Sequence, residues 1–147
     1  MKEILEITEG RLPHLAEKLV TALIKRAEGG GAFVALHGDL GSGKTAFVKE
    51  VAKLLGVKED IISPTFVLKK EYEVPLLEIE KLIHVDAYRL VTPKEGRVLA
   101  LDDGKKPKHI TFIEWGERLE KREWDAELSF SYISEKVRKI EIVIHEK

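Results

Sequence analysis

AFVALHGDLGSGKTAFVKEVAKLLG, residues 32–56, contains three patterns that together decide the fold. Residues 32–37 form a short apolar run, which predicts a buried strand. Residues 46–57 place their apolar side chains on one helical face, and Gly56 is a natural helix end. The glycine-rich residues 38–45 are therefore expected to join a buried strand to an amphipathic helix.

The glycine-rich segment matches the phosphate-binding pattern G-x-x-x-x-G-K-[ST] at Gly38, Gly43, Lys44 and Thr45. Glycines let the backbone curl so that its N–H groups point at a polyphosphate, and the following helix adds its positive end. The lysine can reach the β- and γ-phosphates, and the threonine hydroxyl can bind Mg²⁺. The alternative, a chance glycine turn, does not explain the strand before it and the helix after it. The residues expected to hold a nucleotide are Asp39, Leu40, Gly41, Ser42, Gly43, Lys44, Thr45 and Ala46.

The remaining chain predicts an α/β fold in one domain, residues 1–147. Apolar residues at helical spacing predict a helix over 13–28, and residues 92–101 have a helix start signal. Strands are expected over 63–74, 81–90 and 108–115, and an alternating pattern over 127–144 predicts an antiparallel hairpin at a sheet margin. We therefore expect a P-loop NTPase fold with a central, mostly parallel sheet flanked by helices and a C-terminal antiparallel hairpin.

Two of the expected strands end in an acid, Asp86 and Glu114. In a P-loop protein a carboxylate near the loop threonine completes the magnesium site, usually through water. Thr45, Asp86 and Glu114 are therefore the candidate metal ligands, and Glu114 could also orient or deprotonate a water. Either acid could instead be a solvated strand-end residue.

The amino-acid composition limits the kinds of partner that the protein is expected to bind and the cellular compartment in which it is expected to work. Formal net charge is −1, so no strong overall field attracts nucleic acid, and such a contact would need a local patch or a partner protein. There is no cysteine, which excludes disulfides and thiolate zinc sites. No signal-peptide or membrane-spanning run of apolar residues occurs, and we expect a cytoplasmic protein with no membrane contact.

Four motifs in order resemble the TsaE (YjeE) family of bacterial P-loop ATPases, which act in tRNA threonylcarbamoyladenosine biosynthesis. They are GDLGSGKTAF, SPTF, HVDAYRL and IEWGERL, and the resemblance covers about residues 32–119. It implies that residues 63–66 are a switch segment with Thr65 near the γ-phosphate, and that Asp86 is the Walker B acid. Tyr88 and Arg89 would belong to a second switch, and the pair Glu114 and Trp115 to the nucleotide site. The candidate catalytic residues are Lys44, Thr65, Asp86 and Glu114.

The resemblance also implies the cofactors and the partners. Family members hydrolyse ATP with Mg²⁺, slowly when alone, and work with a TsaD–TsaB complex that transfers the threonylcarbamoyl group to tRNA. The tRNA would be met only indirectly.

Two other functions stay open on the sequence alone. One is a small-molecule or nucleoside kinase, although no arginine-rich lid is evident. The other is a nucleotide-binding module without turnover. A GTPase is disfavoured, because the guanine-reading motif needs an asparagine and the chain has none.

Three further residues near the predicted site have more than one interpretation. Trp115 could contact the nucleotide or be a core residue. His37 and His84 are interpreted as structural strand histidines, with a metal pair of His84 and Asp86 as the minor alternative.

Overall fold

The computed structural model describes residues 2–39, 42–61, 69–87, 106–116 and 123–145. Within these ranges the chain forms seven strands and two α-helices, α1 being preceded by a 3-10 turn at Glu9–Arg11. The helices are α1 (Leu12–Ala27) and α2 (Lys44–Leu54). The strands are β1 (Lys2–Thr8), β2 (Ala32–His37), β3 (Lys69–Glu73), β4 (Lys81–Asp86), β5 (His109–Glu114), β6 (Ala126–Tyr132) and β7 (Val137–Ile144).

The strands form a single sheet in the order β1-β7-β6-β2-β5-β4-β3. Its four central strands, β6, β2, β5 and β4, run parallel to one another. β3 is antiparallel to β4 at one margin, and toward the other margin β7 is antiparallel to β6. The expected α/β fold, the parallel centre and the C-terminal hairpin are therefore confirmed. The hairpin is not itself the margin, because β1 pairs with β7 outside it.

Alternation along the strands divides the interior into two apolar clusters on opposite faces of the sheet. On one face, residues such as Val34, Leu82 and Phe112 pack with the buried sides of α1 and α2. On the other face, Phe33, Ile83, Val85, Ala87 and Ile113 form a smaller cluster with the two tryptophans, Trp115 and Trp124. Side chains two residues apart on a strand share a face. His84, Asp86 and Glu114 therefore project on the same face as α2.

The expected element bounds differ from the observed ones by a few residues, mostly at chain turns. The strand expected over 108–115 covers His109–Glu114, because Lys108 and Trp115 have positive φ angles of 66° and 60° that extended backbone does not allow. The helix expected over 92–101 lies outside the described residues. The same holds for residues 63–66 of the switch segment and for Tyr88 and Arg89. No helix in the described ranges is long and apolar enough to cross a membrane.

Candidate nucleotide site

The glycine-rich loop begins where β2 leaves the sheet, and its shape depends on two glycines. Gly38 has φ 139° and Gly43 has φ 111°, both in the region that favours glycine. A Cβ on Gly38 would lie 2.7 Å from the carbonyl oxygen of Phe130 and 2.8 Å from Ser42 Oγ. Between them the Ser42 N–H donates to the Asp39 carbonyl at 3.1 Å. The loop is therefore packed against β6 too closely for any side chain at Gly38.

Among the described residues, no side chain caps the N-terminus of α2, which directly follows this loop. Gly43 is the N-cap and makes no side-chain capping hydrogen bond, while its carbonyl accepts from the Phe47 N–H at 3.0 Å. The first N–H groups of a helix have no partner within the helix, and they carry the positive end of its dipole. Ser42 is buried, and its Oγ has no hydrogen-bond partner among the described residues. These donors together suit a bound phosphate.

Lys44 is buried at the start of α2 rather than extended into solvent. Its Nζ donates a hydrogen bond to the carbonyl of Gly38, and it lies 4.3 Å from the centroid of the Trp115 ring. A cation over an indole face is attracted to the electron-rich ring. The positive φ of Trp115 and its N–H bond to the Leu36 carbonyl, 3.1 Å, hold that ring beside the loop. The protein thus holds a buried ammonium group beside the glycine-rich loop.

The two strand-end acids lie side by side at the carboxyl edge of the sheet. Asp86 on β4 is paired in register with Glu114 on β5, and both side chains are buried. Thr45 Oγ1 donates to Glu114 Oε2 at 3.4 Å. The same oxygen is 2.5 Å from Nε2 of His84, which is fully buried. A hydroxyl on α2 therefore meets the carboxylate of Glu114, and Asp86 lies in register beside Glu114 on the adjacent strand.

Most of the residues predicted for the site lie in this one region. Around the loop these are Ser42, Gly43, Lys44 and Thr45; at the strand ends they are Asp86, Glu114 and Trp115. Ala46 is half-buried on the first turn of α2, and Asp39 is exposed on the loop. Leu40, Gly41 and Thr65 are outside the described residues, so their expected roles remain predictions.

The described part of the chain holds no group of three or more His, Asp or Glu side chains arranged to hold a metal ion by themselves. Mg²⁺ in nucleotide sites is usually held by one or two carboxylates together with phosphate oxygens and waters. The donor set of Thr45, Asp86 and Glu114 fits that chemistry. It does not fit a metal site built from protein ligands alone.

Three histidines pair with acids in the described residues, and one of these contacts is an addition to what the sequence suggested. His37 Nε2 pairs with Glu127 Oε1 at 3.1 Å, and His145 Nε2 pairs with Glu127 Oε2 at 2.7 Å. Partial burial would raise the pKa of Glu127, but the hydrogen bonds from His145 and His37 outweigh it and hold that pKa below its usual value. The addition is the contact between His84 and Glu114, which requires the register of β4 against β5 and has no signal in the local sequence.

A parallel sheet, a glycine loop that leads into an open helix N-terminus, and paired acids on adjacent strand ends define the P-loop NTPase fold. Within that class, the family model described as "Threonylcarbamoyl adenosine biosynthesis protein TsaE" matches residues 8–142. The chain therefore belongs to the TsaE family.

Curated relatives agree with this assignment, and a solved structure agrees with the fold. The chain is 36% identical to the tRNA threonylcarbamoyladenosine biosynthesis protein TsaE of Aquifex aeolicus over 144 residues, covering 97% of this chain and 96% of the relative. It is 35% identical to the protein of that name from Treponema pallidum over 114 residues, covering 76% and 82%. The crystal structure of Bacillus subtilis YdiB is similar in fold, with a TM-score of 0.64 and 23% identity over 98% of this chain and 87% of that one.

Proposed function

We propose that this chain, as one domain over residues 1–147, is a Mg²⁺-dependent ATPase subunit that supports threonylcarbamoyl modification of tRNA adenosine. The observation that carries the ATPase part is the buried Lys44 ammonium group at an open helix N-terminus, beside Thr45 and Glu114. The relatives that bear the name of a tRNA threonylcarbamoyladenosine biosynthesis protein support the pathway. We expect the chain to work in the cytoplasm, where tRNA is modified.

Nucleotide binding would use the described residues of the loop, 38–39 and 42–45, in their present backbone arrangement. The backbone N–H groups at the start of α2 would donate to phosphate oxygens, and Ser42 Oγ would gain the partner that it lacks among the described residues. Lys44 Nζ would exchange the Gly38 carbonyl and the Trp115 ring for phosphate oxygens, which offer it full negative charge. Trp115 would then border the nucleotide, and Leu40 and Gly41 would complete the loop.

Hydrolysis would depend on the side chains at the strand ends. Bound Mg²⁺ would neutralise charge on the phosphate oxygens, and the Thr45 hydroxyl and the Asp86 carboxylate are the groups that would hold it, with Glu114 beside them. Glu114 would also orient a water toward the terminal phosphate. Thr65 is proposed to sit near that phosphate as part of a switch segment, so that hydrolysis would change a surface that a partner can bind.

The partner in this proposal is a complex of the TsaD–TsaB type, and tRNA would be met through that complex. The near-zero net charge of the chain favours this arrangement over direct capture of tRNA, because capture of a polyanion needs a concentrated positive surface. An ATPase whose site is completed by a partner turns over slowly alone, as GTPases do before they meet their activating proteins.

The decisive test is phosphate release from Mg-ATP, measured with and without a matched TsaD–TsaB complex and tRNA. We expect low activity for the chain alone and a clear rise with the complex. Lys44→Ala should abolish both activities, because it removes the cation that faces the phosphates. Lys53→Ala is the matched control, since Lys53 is an exposed lysine in the last turn of the same helix.

Two results would contradict the proposal. If a phosphorylated acceptor accumulates in place of free phosphate, the chain is a kinase. If ATP binds but no phosphate is released with or without the complex, it is a nucleotide-binding module without turnover.

A further inference from the structure

His84 occupies an unusual position for a polar side chain. It lies within β4, between β3 and β5 in the sheet, it is fully buried, and it projects on the same face as Asp86 two residues later. Its neighbour in register on β5 is Phe112, an apolar core residue. An apolar side chain would fill such a place at lower cost, because a buried imidazole must be compensated by hydrogen bonds.

Only one of the two ring nitrogens of His84 is compensated among the described residues. Nε2 lies 2.5 Å from Glu114 Oε2, while Nδ1 is buried and has no hydrogen-bond partner there. An ionised carboxylate can only accept, so with Glu114 ionised this contact is a hydrogen bond donated by Nε2. A buried donor that faces a carboxylate in this way makes a charge-assisted hydrogen bond, which is shorter and stronger than a neutral one.

The bond acts on one particular oxygen of Glu114. Both side-chain hydrogen bonds that Glu114 makes within the described ranges, from His84 Nε2 and from Thr45 Oγ1, end on Oε2. A carboxylate is held in one orientation when one of its oxygens is fixed by donors from two different elements. Here the donors come from β4 and from the first turn of α2, and within the described ranges the second oxygen, Oε1, makes no side-chain hydrogen bond.

We propose that His84 is a positioning residue for Glu114. It locks Oε2 against Thr45, so that Oε1 is presented to the magnesium-bound or attacking water. The inference rests on the proposed ATPase function and deepens it, because it divides the two oxygens of Glu114 between a structural and a chemical task. Groups that orient a ligand or a base in this way typically change metal affinity or activity by about 10- to 100-fold when they are removed.

Two amide substitutions separate positioning from packing. The amide nitrogen of His84→Gln falls near the place of Nε2 and can still donate to Glu114. The amide nitrogen of His84→Asn falls near Nδ1 and cannot reach it. His84→Leu removes both nitrogens and keeps an apolar core residue. The matched control is His109→Gln, since His109 is a second buried histidine whose Nδ1 also has no partner among the described residues, at the opposite end of β5 from Glu114.

The first measurement is proton NMR of the full chain with labelled histidine. A buried imidazole N–H donated to a carboxylate should give a resonance shifted far downfield and protected from exchange. It should be absent in His84→Gln and in Glu114→Ala, and should remain in His109→Gln. Absence of this resonance from the wild-type chain, or its persistence in Glu114→Ala, would overturn the proposal without reference to any activity.

The second measurement compares ATP affinity with Mg²⁺, ATP affinity in EDTA, and phosphate release in the presence of the partner complex. His84→Asn and His84→Leu should lose about tenfold or more in turnover and in the magnesium-dependent part of the affinity. Their affinity in EDTA should stay near wild type, and His84→Gln should recover most of the loss. Equal effects of Gln and Asn would show a packing role and overturn the positioning role.

Failure of the proposed function would look different. If the wild-type chain releases no phosphate under any condition, the ATPase proposal fails. The resonance and the magnesium-dependent affinity then still decide whether His84 positions Glu114.

Discussion

A single glycine, Gly38, determines how the chain leaves β2 and enters the phosphate loop. Its φ of 139° is rarely adopted by other residues, and its missing side chain lets the loop approach the backbone of Phe130. Lys44, the residue that gives the loop its charge, then donates to the carbonyl of this same glycine. Gly38 therefore both shapes the backbone of the loop and accepts the hydrogen bond of the Lys44 ammonium group.

Gly38→Ala should destabilise the protein and weaken ATP binding. The unfavourable φ alone costs about 1–3 kcal/mol, and the new Cβ would also meet a backbone carbonyl that cannot move independently of β6. Urea unfolding and calorimetric ATP titration measure the two effects. Gly29→Ala is the control, because a Cβ there has no heavy atom within 4 Å. Equal unfolding midpoints for the two variants would show that the loop can move away from β6.

Helix α2 is the element that connects the phosphate loop to the core. Its buried side centres on Phe47, whose ring contacts Phe112 of β5 at 6.2 Å and Phe130 of β6 at 5.9 Å between centroids, both edge-to-face. Aromatic pairs in this arrangement add to the stabilisation from buried area. Because Lys44 and Thr45 are one turn away on the same helix, this packing also fixes the direction of the helix N-terminus.

Phe47→Ala should lower the free energy of unfolding by about 3–5 kcal/mol, since it leaves a cavity beside Phe112 and Phe130. Leu54→Ala, on the partly exposed end of the same helix, should cost less than about 1 kcal/mol. Chemical denaturation of both variants gives the comparison. A loss at Phe47 no larger than the loss at Leu54 would mean that α2 is not held by this aromatic contact.

Some elements could be predicted from the sequence and others could not. The difference depends on how far apart in the chain their interacting residues are. The bounds of β2 and the start of the following helix follow from local signals, an apolar run and the glycine pattern. β1, Lys2–Thr8, was not predicted, because its residues do not alternate cleanly and its only described partner, β7, lies at the other end of the chain. Asp86 and Glu114 were expected to act at one site because both are acids at the ends of expected strands. Their adjacency and the bond from His84 depend on the order and register of β4 and β5, which no local pattern contains.

For the molecule as a whole, charges are nearly balanced near neutral pH, so the first effects of a lower pH should come from specific groups rather than from general repulsion. Burial lowers the pKa of His109, at the start of β5, below its usual value of 6.5. Glu127 joins β2, β6 and the residue after β7 through His37 and His145, and its pKa is held below its usual value of 4.5. These two groups should therefore lower the free energy of unfolding in two separate ranges of acidic pH.

We expect the free energy of unfolding to fall in two stages as the pH is lowered. His109 is charged more readily in the unfolded chain, so stability falls as the pH drops below about 6.5 toward its folded pKa. Glu127 is protonated first in the unfolded chain, so its contribution is complete above about 4.5 and is lost as the pH falls through its lower folded pKa. Urea unfolding between pH 7 and pH 3 measures both stages. His109→Gln should flatten the first stage only, Glu127→Gln should flatten the second, and His14→Gln, at an exposed histidine on α1, should change neither. A profile in which all three variants keep the wild-type slope would show that neither buried group controls the acid stability of the fold.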